Sequence, residues 1–160
     1  MRIAVLTVSD EGAAGRREDT SGGALVDWIA ARGYELAARE IVPDESDLIA
    51  GRLARWADSE SIDLIVTTGG TGLGPRDVTP EATRSVVERE VPGVGEAIRN
   101  DGRVKTPYSV LSRGLCGVRG TTLIVNLPGS VGGVRDGIAT LTPLIEHAVK
   151  LLRDEETDHA

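Results

Sequence analysis

The chain has 160 residues, 18 Lys and Arg against 25 Asp and Glu, a formal net charge of -7 and a single cysteine. That length fits one domain with its own hydrophobic core. The acidic balance argues against a nucleic-acid binder, whose nonspecific affinity rests on clustered basic residues. The lone Cys116 excludes an internal disulfide or a multi-cysteine zinc site, and its ordinary reading is a small buried apolar residue in a reducing, cytoplasmic setting.

Arg2 to Ser9 is a short β-branched run of the kind that forms a buried strand. It is too short for a secretion signal or a membrane span. Thr20-Ser21 can cap a helix with Leu25, Trp28 and Ile29 on one side, stopped by Gly33. Leu36 to Val42 reads as a second strand, and Ser46 or Asp47 opens a helix bearing Ile49, Leu53 and Trp56. Leu64 to Thr68 is a third strand that runs straight into Gly69-Gly70-Thr71-Gly72-Leu73-Gly74. Pro80 then opens a helix capped by Thr79, with Glu81 in the first turn where the helix dipole favours an acid.

Between Glu90 and Gly120, glycines and prolines interrupt short helical stretches, which predicts a small helical insertion. Thr121 to Leu127 is a further strand ending in Asn126-Leu127-Pro128-Gly129, and a long amphipathic helix carries Ile138, Leu141, Ile145, Val149 and Leu152. The domain is expected to span residues 1–153, with 154–160 a solvated tail. Strands alternating with helices predict an α/β three-layer sandwich, a mostly parallel Rossmann-like sheet covered by helices on both faces.

All four strand exits are polar, glycine or proline: Ser9-Asp10, Pro43-Asp44-Glu45, Gly69 to Gly74 and Asn126 to Gly129. In an open parallel sheet these exits share the edge where ligands bind, although turns favour the same residues. The glycine run lets backbone approach a phosphate, but it is neither GxGxxG nor a Walker loop. On glycine content alone, phosphate binding and a structural turn stand equal. Asp77 shifts the balance, because a carboxylate beside bound phosphate calls for a hard divalent cation such as Mg²⁺, and Asp44 at the neighbouring exit can supply a second ligand. Arg76, Lys105 and Arg113 are candidates to make the cleft positive, or else surface charges. The only histidines are His147 and His159, which leaves histidine-based acid–base chemistry without support.

The block TTGGTGLGPRDVTPEAT, with VPDE upstream and LSRGLCGVRGTTLIVNLPGS downstream, resembles the MogA/MoaB family of molybdenum-cofactor biosynthesis, whose fold also occurs in gephyrin. The resemblance runs from TVSD to the last helix. It implies an adenylyltransferase that joins AMP from Mg-ATP to molybdopterin and releases pyrophosphate, with Asp44 and Asp77 as the catalytic, Mg²⁺-binding acids. It further implies that Thr71 and Ser112 hold the pterin, and that Ser9, Gly69, Gly70, Gly72, Arg76, Arg113, Asn126, Pro128 and Gly129 line the nucleotide and phosphate region. Gly102 departs from relatives that carry a hydroxyl residue there. The family implies a homotrimer, or a hexamer in some members, and a separate molybdate-inserting enzyme downstream. A MoaB-type pterin-binding protein or a scaffold module is the alternative.

Overall fold

The computed structural model describes residues 1–59 and 61–155. In chain order these form β1 (Arg2–Val8), α1 (Asp10–Ala13), α2 (Thr20–Ala31), β2 (Glu35–Val42), α3 (Ser46–Ser59), β3 (Leu64–Thr68), α4 (Thr79–Val86), β4 (Arg89–Glu90), α5 (Pro92–Gly102), a 3-10 turn at Pro107–Leu111, β5 (Cys116–Arg119), β6 (Thr122–Leu127) and α6 (Val131–Leu152). The strands make one sheet in the order β2-β1-β3-β6-β5-β4. The first four are parallel, and the β6-β5 and β5-β4 pairs are antiparallel.

Side-chain alternation along the strands builds two cores, because successive residues point to opposite faces of a sheet. Ile3 and Val5 of β1, Leu64 and Val66 of β3, and Leu123 and Val125 of β6 pack on one face against Leu25, Trp28 and Ile29 of α2 and Leu141 and Ile145 of α6. Ala4, Leu6, Ile65 and Ile124 face the other way, against Ile49, Leu53 and Trp56 of α3 and Ala82 and Val86 of α4. The strands are therefore buried on both sides, which is why they read as continuous apolar runs. Each fully buried Leu or Ile of these layers contributes about 1.5–3 kcal/mol relative to exposure. The three-layer α/β expectation is met.

Three local expectations need correction. The stretch between Glu90 and Gly120 is not only helical: β5 lies within it and, with β4 ending at Glu90, extends the main sheet, β5 being joined to β6 by a two-residue turn at Gly120 and Thr121. Gly120 has φ +55° there, in the left-handed region a tight hairpin turn requires, so β6 begins at Thr122. The α2 cap is Asp19, whose Oδ1 accepts the Gly22 N–H at 2.8 Å, in place of Thr20 or Ser21. Thr79 does not cap α4; its Oγ1 donates to the Gly69 carbonyl at 2.9 Å, pinning the glycine loop to the helix. Gly33 does end α2, at φ +70°, with Tyr34 N–H on the Ile29 carbonyl. Arg153, after α6, pairs with the buried Asp63, and residues 156–160 of the expected tail lie outside the described residues.

Candidate active site

From β1 the chain passes to β2 on one side, while β3 lies on the other. The carboxyl ends of β1 and β3 therefore flank the point where strand order reverses, the place such sheets leave a crevice. A cleft of about 410 Å³ opens there, lined by Ser9, Asp44, Gly69, Gly70, Asp77 and Gly129 among others.

Local geometry explains the glycines. Gly69 (φ +100°) runs so close to β1 that a Cβ would stand 2.2 Å from the Val8 carbonyl oxygen, and at Gly70 (φ +66°) a Cβ would stand 2.3 Å from Thr79 Oγ1 and 3.1 Å from Asp44 Oδ1. Both positions combine left-handed backbone with close approach, so only glycine fits without strain. Gly72 and Gly74 are different: a Cβ at either would stand 2.9 Å from Asp77 Oδ2. Those two leave room for the Asp77 carboxylate, whose Oδ2 accepts the Gly74 N–H at 2.8 Å.

Asp44 enters from the end of β2. Its N–H donates to Asp10 Oδ1 at 3.0 Å, and its Oδ2 accepts the Asp10 N–H at 2.9 Å. Burial raises its pKa above the ordinary carboxylate value; the Asp10 backbone bond opposes that, and the charges of Asp10 and Asp77 add to it. Ser9 caps α1, its Oγ accepting the Gly12 N–H at 3.0 Å.

The expected cations are occupied. Arg76 makes a two-pronged ion pair with Asp10, at 2.7 and 2.9 Å. Arg113 braces the glycine loop from outside, giving Nε to the Gly72 carbonyl at 2.8 Å, Nη2 to the Asp77 carbonyl at 2.7 Å and Nη1 to Glu81. Lys105 pairs with Asp136. Each of these three candidates thus has an acidic partner, a fact that charge counting along a chain does not contain. Asn126 is likewise buried, with both amide protons on Thr67 and Thr83 hydroxyls and its oxygen on the Leu115 N–H. It supports the cleft from below and does not line it.

A second cavity of about 420 Å³ lies alongside, lined by Ser112, Pro128, Gly102 and Lys105; Ser130 borders both spaces. The buried Thr71 follows Gly70 of the first cleft, and its Oγ1 lies 3.4 Å from the Oγ of Ser112, which lines the second. At Gly102 a Cβ would meet Ser109 Oγ at 2.2 Å, so the Ser109 hydroxyl takes the space a side chain would need.

Some acids here are not singled out by sequence reasoning. Asp10 is bonded to Asp44 beside the cleft, and Glu18 and Asp19 line it. The Asp19 side chain is buried, and Oδ2 accepts from Thr7 Oγ1 at 2.9 Å and Arg39 Nη2 at 3.0 Å. An acid placed directly before Thr-Ser-Gly at a helix start was the available signal for Asp19.

Asp19 is neutralised by Arg39, whereas Asp44 and Asp77 have no cationic partner among the described residues. No group of three or more His, Cys, Asp or Glu side chains there is placed to hold a metal ion. Two carboxylates suit a cation that takes its other ligands from phosphate and water, which is how Mg²⁺ is commonly bound. The donor set therefore fits Mg²⁺ delivered with a nucleotide.

A mostly parallel α/β sheet with a glycine loop and paired acids at its switch point defines a nucleotide- or phosphoester-handling class. The chain belongs to the family described as "Probable molybdopterin binding domain", whose model matches residues 4–147. It is 46% identical over 155 residues to the Drosophila melanogaster molybdenum cofactor synthesis protein cinnamon, covering 94% of this chain and a quarter (25%) of that protein. It is 40% identical over 156 residues to the molybdopterin adenylyltransferase of Helicobacter pylori strain J99, covering 95% of this chain and 88% of that one. The crystal structure of the molybdopterin biosynthesis enzyme MoaB of Thermus thermophilus superposes with a TM-score of 0.90 at 51% identity, covering 96% and 97% of the two chains. Among the described residues no helix is long and apolar enough to cross a membrane.

Proposed function

We propose that this chain is a molybdopterin adenylyltransferase. The supporting observation is that Asp44 and Asp77 both line the switch-point cleft beside the glycine loop, without cationic partners among the described residues. A phosphate oxygen of molybdopterin attacks the α-phosphorus of ATP, and the bond to the β-phosphate oxygen breaks, so AMP joins molybdopterin and pyrophosphate leaves. Asp44 and Asp77 hold Mg²⁺, which when bound offsets the negative charge of the phosphates. Backbone from Gly69 to Gly72, packed closely on Val8, Thr79 and Asp77, offers N–H groups to the phosphates. The cavity bordered by Ser112, Pro128 and Gly102 takes the pterin, with Ser130 at the junction of the two subsites.

In this reading residues 1–153 act as one domain, assembled as a homotrimer in the cytoplasm, and pass the adenylylated product to a molybdate-inserting enzyme. The test is pyrophosphate release from Mg-ATP with and without molybdopterin. Release that requires both substrates supports transfer. Molybdopterin binding without release favours the MoaB-type binding role.

A further inference from the structure

Three chain segments meet around one side chain that is assigned no part in binding substrate. Asp10 lies at the end of β1, Asp44 after β2 and Arg76 after β3, separated by 34 and 66 residues from Asp10. Asp10 Oδ1 accepts the Asp44 N–H at 3.0 Å and Arg76 Nη2 at 2.9 Å, while Oδ2 accepts Arg76 Nε at 2.7 Å. The Asp10 N–H in turn holds Asp44 Oδ2 at 2.9 Å.

Resting on the adenylyl-transfer reading above, we infer that Asp10 is a positioning residue for the acid pair: it fixes the Asp44 backbone and holds the Arg76 guanidinium away from Asp44 and Asp77. Stability alone does not account for the arrangement. Asp10 and Arg76 have side chains 37% and 58% exposed, and ion pairs so open to water add little to folding. Geometry does account for it. A bidentate guanidinium–carboxylate contact fixes orientation as well as distance, and two further backbone bonds tie the same carboxylate's residue to Asp44. Arg76 directly precedes Asp77, and Asp44 and Glu45 are its other negative neighbours. Released from Asp10, the guanidinium has those acids within its field and competes with a divalent cation for them. The acid pair is thus kept open by a third acid that holds the Arg76 guanidinium.

The test uses the full chain with Asp10→Ala, Asp10→Asn, Arg76→Gln and the Asp10→Ala/Arg76→Gln double substitution. Transfer kinetics, Mn²⁺ affinity without nucleotide by electron paramagnetic resonance, and thermal midpoints are measured on each. Asp10→Ala is expected to lower kcat by about 10- to 100-fold with the ATP KM changed by under about threefold, since misplacing a reacting group costs rate more than binding. It also weakens Mn²⁺ binding, while its thermal midpoint stays near that of the parent. Asp10→Asn keeps an oxygen for the Asp44 N–H and recovers part of the loss. The double variant binds Mn²⁺ more tightly and turns over faster than Asp10→Ala, because the freed guanidinium is gone.

A double variant no better than Asp10→Ala in both readouts overturns the inference, as does an Asp10→Ala that keeps parental kcat and Mn²⁺ affinity. If the parent fails to transfer AMP, the adenylyltransferase reading falls while the Mn²⁺ comparison still decides the role of Asp10. A parent that neither transfers nor binds Mn²⁺ overturns both.

Discussion

Asn126 gives an amide proton to Thr83 Oγ1 at 2.9 Å, tying β6 to α4 beneath the cleft. Its second proton goes to Thr67 Oγ1 at 3.0 Å, and its Oδ1 takes the Leu115 N–H at 3.2 Å. Such a fully satisfied buried amide acts as a strut, and its loss leaves several polar groups without partners. Asn126→Ala is therefore expected to cost about 2–4 kcal/mol of stability. In a chain of this size that lowers the thermal midpoint by roughly 5–15 °C. Calorimetry and urea denaturation check it; an unchanged midpoint with a raised KM for ATP would show instead that Asn126 works by touching ligand.

The glycine loop separates into two functions that one experiment can tell apart. At Gly69 an added Cβ meets the rigid Val8 carbonyl oxygen at 2.2 Å, on backbone at φ +100°. At Gly72 it meets only the Asp77 carboxylate, at 2.9 Å. Gly69→Ala is expected to destabilise by about 2 kcal/mol or more through strain and a main-chain clash. Gly72→Ala leaves the melting point nearly unchanged and lowers kcat by displacing Asp77. Melting curves and turnover numbers that change alike in the two variants would show instead that the loop is uniform.

The inner parallel strands β1, β3 and β6 were legible because they are buried on both faces and so announce themselves as apolar runs ending in turn residues: Leu64 to Thr68 matches β3 from end to end. β4 and β5 were not, since two- and four-residue strands are too short for periodicity to register. Asp44 and Asp77 were found because an acid beside a phosphate loop is an electrostatic oddity at the level of sequence. The roles of Asp10 and Asp19 and the true partners of Arg76 and Arg113 were missed for a different reason. They lie in contacts across 20 to 66 residues, and charge along a chain does not show which opposite charge lies nearest in space.

Cys116 is buried on β5, and desolvation pushes its thiol from the ordinary 9.0 up to about 12. The thiolate is the reactive form, so at pH 8 it is on the order of a thousandfold scarcer than in an exposed cysteine. A native sample is expected to react with Ellman's reagent only as fast as the chain opens, with the rate following the unfolded fraction in urea. The linked stability has a definite sign: because the folded pKa is raised, the contribution is complete below about pH 9 and is lost as pH rises toward 12. Rapid labelling of the folded chain at pH 8 would contradict this.

Asp44 and Asp77 come from different strand exits yet share one electrostatic field, since the charge of Asp77 helps raise the pKa of Asp44. If both ligate one Mg²⁺, losing either carboxylate removes most of what losing both removes. Each single change, Asp44→Asn or Asp77→Asn, is expected to lower kcat by about a hundredfold or more, with the double variant little worse. Stability should move the other way at Asp44. Its charge is disfavoured by burial and by two neighbouring acids, so Asp44→Asn is expected to raise the thermal midpoint by about a degree or more at neutral pH in metal-free buffer. Asp77→Asn keeps an oxygen for the Gly74 N–H and leaves the midpoint close to the parent's. A double-mutant cycle on adenylyl-molybdopterin formation at saturating Mg-ATP, run beside melting curves with and without Mg²⁺, measures both effects. Losses that add in free energy would sink the shared-cation arrangement and assign the two acids to separate tasks.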